Sequence, residues 1–218
     1  MITPVTILCA ADNSFYKKIP FLNVYDKQRN AWSYKGDDMI IAHPPCQQWG
    51  RLRGLANKNE KEKELALFCL DQVMKNGGIL EHPVSSLLWN HIERSKVTLL
   101  KVNQSWWGYP ATKSTILLFR HVRPLSFPLN FNAITHRVSY NKRNPNRLKT
   151  LYGEARSETT LYFCSWLVEC IRQSKTEPDR PKNEQGNGHS ASKELKKKVV
   201  MIFGQKITPT FFFSTLLQ

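Results

Sequence analysis

Acidic residues are scarce in this chain. Its 218 residues hold 17 Asp and Glu against 32 Lys and Arg, a formal net charge of +15 at pH 7. That imbalance disfavours an acidic or cationic partner and favours a polyanion, most simply nucleic acid. The plainer alternative is charge that only keeps the protein soluble. Cysteine is sparse too. The five cysteines, Cys9, Cys46, Cys69, Cys164 and Cys170, are scattered, with no CxxC pair and no Cys/His cluster. This pattern argues against a zinc site and against a disulfide framework, so no metal and a reducing, cytoplasmic setting are expected. No apolar stretch is long enough to span a membrane, and no charged leader precedes an apolar run with a cleavage site. Glycine is missing from LCAADNSFYKK, residues 8–18, the turn after the first apolar run.

The residues that are plentiful read as an α/β domain. Hydrophobic residues make up 41% of the chain, enough for a core. VTILCA, 5–10, NVYD, 23–26, MIIAH, 39–43, GILEHP, 78–83, KVTLLKV, 96–102, and STILLF, 114–119, read as strands. The continuous apolar run at 39–43 suits a central parallel strand buried on both faces. Residues 57–76 read as a helix with Asn57 or Asn59 as cap. Leu65, Phe68, Cys69 and Val73 form its apolar stripe, and Gly77-Gly78 end it. Residues 157–172 read as a second helix, capped by Ser157. Strand, helix, strand in alternation predicts a mostly parallel sheet with flanking helices, with ligands beyond the carboxyl ends of the strands. The expected division is a domain over 1–173 and a basic, flexible tail over 174–218, which is polar and rich in Pro, Gly and Ser before its apolar end. The loop at 135–149 has five basic residues and no acid, and is read either as a solvated loop or as a phosphate contact.

Three segments carry candidate chemistry. In IIAHPPCQQWGRLRG, 40–54, two prolines remove two backbone donors and direct the chain stiffly, so the thiol of Cys46 is presented from a rigid loop. Such placement suits a nucleophile, although Cys46 could also be a small packing residue after a strand end. Glu81 stands near the end of another strand and should face the same crevice. The adjacent His82 reads as structural. In VNQSWWGYPATKSTILLF, 102–119, a Gly-aromatic-Pro turn leads to Lys113 and an apolar strand. Trp106 and Trp107 could stack on a base or pack in the core.

PPCQ, then an acid at a strand end, then Gly-x-Pro before a basic residue and a strand, resembles the cytosine carbon-5 DNA methyltransferases. The match covers residues 39–119. The resemblance implies a Rossmann-like methyltransferase fold, DNA as partner, S-adenosylmethionine as cofactor, and a small, phage-like member of the family. By it Cys46 is the nucleophile and Glu81 contacts the pyrimidine. Lys113 stands where the family's last motif has its first arginine, and Pro45, Gln47, Arg51, Arg53, Trp106 and Trp107 border the nucleic acid. The implied reaction adds a thiolate to carbon 6, which makes carbon 5 enamine-like. Glu81, protonated or hydrogen-bonded at N3, stabilises the ring charge, and carbon 5 then attacks the methyl group. Arg51, Arg53 or a helix start after Cys46 would lower the thiol pKa. A duplex target would have to flip out.

Several departures accompany the resemblance. The family's first turn is glycine-rich; here Asp12, Asn13 and Ser14 would replace it with side-chain contacts, or one of them caps a helix. Asp26, after the second strand, would hold a ribose hydroxyl. Glu81-His82-Pro83 replaces Glu-Asn-Val, Ala111 and Thr115 stand for the last motif's glutamine and second arginine, and no large target-recognition region is present. Three further readings therefore stay open. One is a nucleobase-modifying enzyme without S-adenosylmethionine. Another is a non-catalytic nucleic-acid-binding relative of the methyltransferase fold. The last is an exocyclic amino-methyltransferase.

Overall fold

A computed structural model describes residues 4–51, 53–127, 133–138 and 146–174. The tail beyond Ser174, and residues 139–145 of the basic loop, lie outside the described residues. Six strands form one sheet: β1 (Val5–Leu8), β2 (Leu22–Val24), β3 (Met39–Ala42), β4 (Gly78–Pro83), β5 (Thr98–Asn103) and β6 (Ser114–Arg120). Their order is β2-β1-β3-β4-β6-β5. β2, β1, β3 and β4 run parallel, and β6 is antiparallel to both its neighbours. The protein is thus mixed α/β with a mostly parallel sheet. An apolar run carries no direction, so the reversal of β6 is a finding of the structure. Residues 104–113, which include a 3₁₀ turn over Gln104–Trp107, turn the chain back, and β6 slots between β4 and β5.

Alternation along the central strands sends side chains into two cores. Ile40, Ala42 and Leu80 pack with Ala66, Cys69, Leu70 and Val73 of α1 (Glu60–Asn76). Ile41, Ile79, Leu117 and Phe119 pack with Phe163, Cys164, Leu167, Val168 and Ile171 of α2 (Leu161–Ser174). Burial on both faces explains why β3 reads as an unbroken apolar run. No helix among the described residues is long and apolar enough to cross a membrane.

Both helices start later than the sequence suggests. Asn59 caps α1, accepting from Glu62 N at 3.3 Å. α2 begins at Leu161, four residues after Ser157, because the preceding carbonyls are taken by other donors. Tyr109 Oη donates to Ala155 O at 2.8 Å and Arg156 O at 3.2 Å. Lys113 Nζ donates to Ser157 O at 3.4 Å and Glu158 O at 3.0 Å. Thr160 then caps the helix, accepting from Phe163 N at 3.4 Å and donating to Trp107 O at 2.7 Å.

Gly77 (φ 84°) ends α1, and Gly78 (φ 131°) starts β4 directly against β3. A Cβ on Gly78 would collide with the Ile40 carbonyl. Gly78→Ala therefore adds strain and a clash, expected to cost about 3 kcal/mol and to lower Tm by roughly 6–12 °C in thermal unfolding.

Candidate active site

The site is built at the carboxyl ends of β3 and β4. His43 N donates to Leu8 O at 3.0 Å, extending the β1–β3 ladder by one bond. Pro44 and Pro45 have no donors, so the ladder stops and the chain leaves the sheet. Cys46 comes next, and its carbonyl accepts from Trp49 N at 3.1 Å and Gly50 N at 2.8 Å. Trp49 is buried, and its carbonyl accepts from Leu87 N at 3.0 Å. The thiol is therefore held between a strand end and an anchored tryptophan, on an exposed residue. The chain after Cys46 forms a turn rather than a helix start.

Ala42 pairs with Leu80 across the sheet, so His43 and Glu81 come next side by side. Their side chains are each 12% exposed, and His43 Nδ1 lies 3.1 Å from Glu81 Oε2. The other carboxylate oxygen accepts from Gln104 Nε2 at 3.0 Å and from Thr115 Oγ1. Burial alone pushes Glu81 up. The His43 bond, the Lys113 charge and the Thr115 bond together outweigh it and hold the carboxyl at about 2. Glu81 is thus an ionised acceptor in the resting protein.

Cys46 and Glu81 stand at the carboxyl ends of the neighbouring β3 and β4, near enough for the carboxylate charge to act on the thiol. Desolvation by the surrounding protein pushes the Cys46 thiol up, and the Glu81 charge adds to this. Lys113 and Arg156 act in the opposite sense without prevailing. This corrects the expected lowering by Arg51, Arg53 or a helix start. Arg53 instead bonds the Gly50 carbonyl at 3.3 Å, and Arg51, Arg53 and Gln47 are exposed on the loop beyond the thiol. Pro45 is partly buried. Lys113 faces both Glu81 and Cys46; burial lowers its pKa and those negative groups raise it. It acts on the site through its charge and secures the segment before α2 through its hydrogen bonds.

The two tryptophans belong to packing. Trp107 is 3% exposed among Phe127, Phe163 and Trp166. Trp106 stacks on Phe127 at 5.4 Å with the rings nearly parallel. A base-stacking role for Trp107 is therefore excluded by its burial. His82 is structural: buried, bonded through Nδ1 to Ser86 Oγ at 2.7 Å, and lowered to about 4 by burial.

The residues expected to hold S-adenosylmethionine are engaged in local contacts or stand exposed. Ser14 Oγ caps a 3₁₀ turn, accepting from Tyr16 N at 3.3 Å. Asp12 and Asn13 are exposed, and Asp12 lies 3.7 Å from Lys27. Asp26 is tied to Lys17 at 2.5 Å and to the amides of Gln28 and Arg29, which hold it at about 2. Cys9 takes the left-handed conformation (φ 61°) that a glycine would supply, with its sulfur turned to Cys69 Sγ at 3.6 Å. The Tyr16 ring, 1% exposed, lies under that turn, with its hydroxyl 2.9 Å from His43 Nε2.

Four contributors escape the sequence pattern: Tyr16, His43, Gln104 and Arg156. Only His43 carries a signal, by sharing the strand-end position that singles out Glu81. Thr115 enters the pattern only as a departure from a motif. A surface cavity of about 490 Å³, lined by Lys96, His121 and Arg123 among others, opens at the opposite end of β6 and includes none of these groups. Compared with known proteins, the chain matches no family model, no curated protein and no solved structure.

Glu81→Gln removes the negative charge that helps hold the Cys46 thiol up. Alkylation of Cys46 by iodoacetamide, tracked by intact-mass spectrometry across pH, should then have its midpoint at lower pH than in the wild type. Stability gives a second readout. A carboxyl depressed from 4.5 to about 2 contributes stability that is complete above 4.5 and fades as pH falls towards 2. The acid limb of the stability curve should flatten in Glu81→Gln.

Proposed function

We propose that this protein modifies a pyrimidine base of nucleic acid, DNA in line with the family resemblance, through a covalent bond from Cys46 to carbon 6. The observation that carries this reading is a stiffly mounted thiol on an exposed residue at the same sheet end as an ionised buried carboxylate and a lysine that acts on both. A pyrimidine offers complementary chemistry: an electrophilic carbon 6 for the sulfur, and a ring edge for the carboxylate. With the thiol raised and the carboxyl depressed, the resting pair is a thiol and a carboxylate, and the proton leaves Cys46 only as the bond to carbon 6 forms. Lys113 limits the negative charge gathered there.

A Rossmann-like reading of the sheet is supported by its connectivity. The chain passes from β1 outward to β2, then returns to β3 on the other side of β1. That reversal makes a switch point between β1 and β3, the usual ligand crevice of doubly wound sheets. The order matches such a sheet with one outer strand fewer on the β2 side and the reversed β6 inserted. His43 and Cys46 leave the sheet at that switch point.

Basic groups flank the site. Thr135 N and His136 N both donate to Pro110 O, so the basic loop is moored to the turn preceding Lys113. Arg147 and Lys149 are exposed there. Arg51 and Arg53 lie on the Cys46 loop. These cations suit contacts to a phosphate backbone, which set position rather than sequence. The β1 turn favours the reading that does without S-adenosylmethionine over methyl transfer.

The test uses a single-stranded oligonucleotide containing 2-pyrimidinone, whose carbon 6 is electrophilic because carbon 4 bears no donor. Wild-type protein should gain the mass of one oligonucleotide, and Cys46→Ser should gain none. An unmodified wild type would overturn the proposal. Mass spectrometry of nucleosides from treated DNA, with and without S-adenosylmethionine, separates methyl transfer from the cofactor-free reading.

A further inference from the structure

Beneath the carboxylate lies a chain of polar groups that the thiol chemistry does not account for. Glu81 Oε2 meets His43 Nδ1 at 3.1 Å, His43 Nε2 meets Tyr16 Oη at 2.9 Å, and the Cys164 thiol of α2 lies against the same hydroxyl. The members come from β4, the end of β3, the turn after β1, and α2. Tyr16 and Cys164 are fully buried. Two contacts of the ring constrain its protons. Glu81 is ionised, so it has no hydrogen to give, and Nδ1 must carry the one in that bond. At the other nitrogen a hydroxyl can give a hydrogen or take one, so the form of the ring is set at the Tyr16 contact.

We propose that Tyr16 and His43 are a positioning relay: Tyr16 fixes the His43 tautomer, and His43 keeps Glu81 free of a proton and aimed at the base. The inference rests on the pyrimidine reading above and deepens it. In the addition step the Cys46 S–H bond breaks and the Sγ–C6 bond forms. The C5=C6 π pair shifts to C4=C5, and the C4=N3 π pair moves onto N3. Glu81 receives the thiol proton and passes it to N3, so every charge and proton is accounted for. The carboxylate must start empty for this transfer, and the relay secures that condition. Tyr16 itself stays protonated, because burial and the neighbouring Cys164 and Glu81 push its hydroxyl well above its ordinary value. The titratable and charged groups facing the relay are Tyr16 and Cys164 from below, and Cys46, Lys113 and His82 around the carboxylate.

This arrangement also accounts for the glycine-free turn after β1. In doubly wound folds that turn brings backbone close to a ligand. Here it carries Ser14, which caps the short turn that drives Tyr16 under His43.

Two measurements test the relay. Long-range ¹H–¹⁵N correlation of the imidazoles, with His43 assigned through His43→Asn, should show a ring protonated at Nδ1 and accepting at Nε2, a form lost in Tyr16→Phe. An Nε2-protonated ring, or a spectrum indifferent to Tyr16→Phe, overturns the proposal whatever the activity. The second is the rate of adduct formation with the 2-pyrimidinone oligonucleotide against pH. Losing the Tyr16 donor weakens the hold of His43 on Glu81 and raises the carboxyl pKa. Tyr16→Phe should therefore move the acid limb up by about one pH unit and slow the reaction about tenfold below it. Thermal unfolding confirms that the variant, which keeps its ring, is folded. A pH profile superimposable on that of the wild type overturns the relay. A wild type with the expected tautomer but no adduct overturns the pyrimidine reading and leaves the tautomer relay standing.

Discussion

A buried carboxylate must be surrounded by donors, and much of this architecture stems from meeting that demand at Glu81. Its partners come from three places in the chain: His43 after β3, Gln104 after β5, and Thr115 in β6. Each is brought in by backbone pairing. β3 beside β4 delivers His43. The reversed β6, slotted between β4 and β5, delivers Thr115, and the turn joining β5 to β6 delivers Gln104. Gln104 is 1% exposed, so its bond to the carboxylate is a core interaction as well as a site contact. The odd strand direction and the charge are therefore one arrangement: without β6 in that slot the carboxylate would lose two of its three donors.

The same demand orders the electrostatics above the sheet. An ionised Glu81 raises the neighbouring thiol and draws in Lys113. Lys113 in turn binds main-chain carbonyls ahead of α2, delaying that helix and setting Arg156 close enough to act on Cys46. Packing and chemistry are coupled through one ammonium group. The aromatic cluster around Trp107 gives the segment a rigid base. That explains why two adjacent tryptophans, which in sequence could have served as a stacking platform, are spent on packing.

The strand ends are the most legible part of the sequence. Apolar runs closed by proline at HPPC and EHP mark where two buried strands stop, and parallel neighbours bring such stops together, so the pattern sets Cys46 and Glu81 at the same end of the sheet. Three things are not legible. The direction of β6 leaves no trace in an apolar run. The start of α2 is set by Tyr109 and Lys113, distant in sequence, and local capping signals at Ser157 cannot report them. Tyr16 lies 27 residues from His43, in a turn whose lack of glycine draws attention to a cofactor rather than to the ring that fills the space. The sign of the Cys46 shift is misjudged from sequence for a related reason: arginines near in sequence suggest a lowering, whereas a carboxylate and desolvation near in space decide it.

Lys113 grips its neighbours through main-chain oxygens, which every residue type supplies, so the grip itself does not depend on which side chains stand at 157 and 158. The ammonium itself has no such latitude. Burial makes it easier to discharge than a surface lysine. Neutralising it, by alkali or by acylation, would unfasten the helix approach and strip the counter-ion from the carboxylate in a single event.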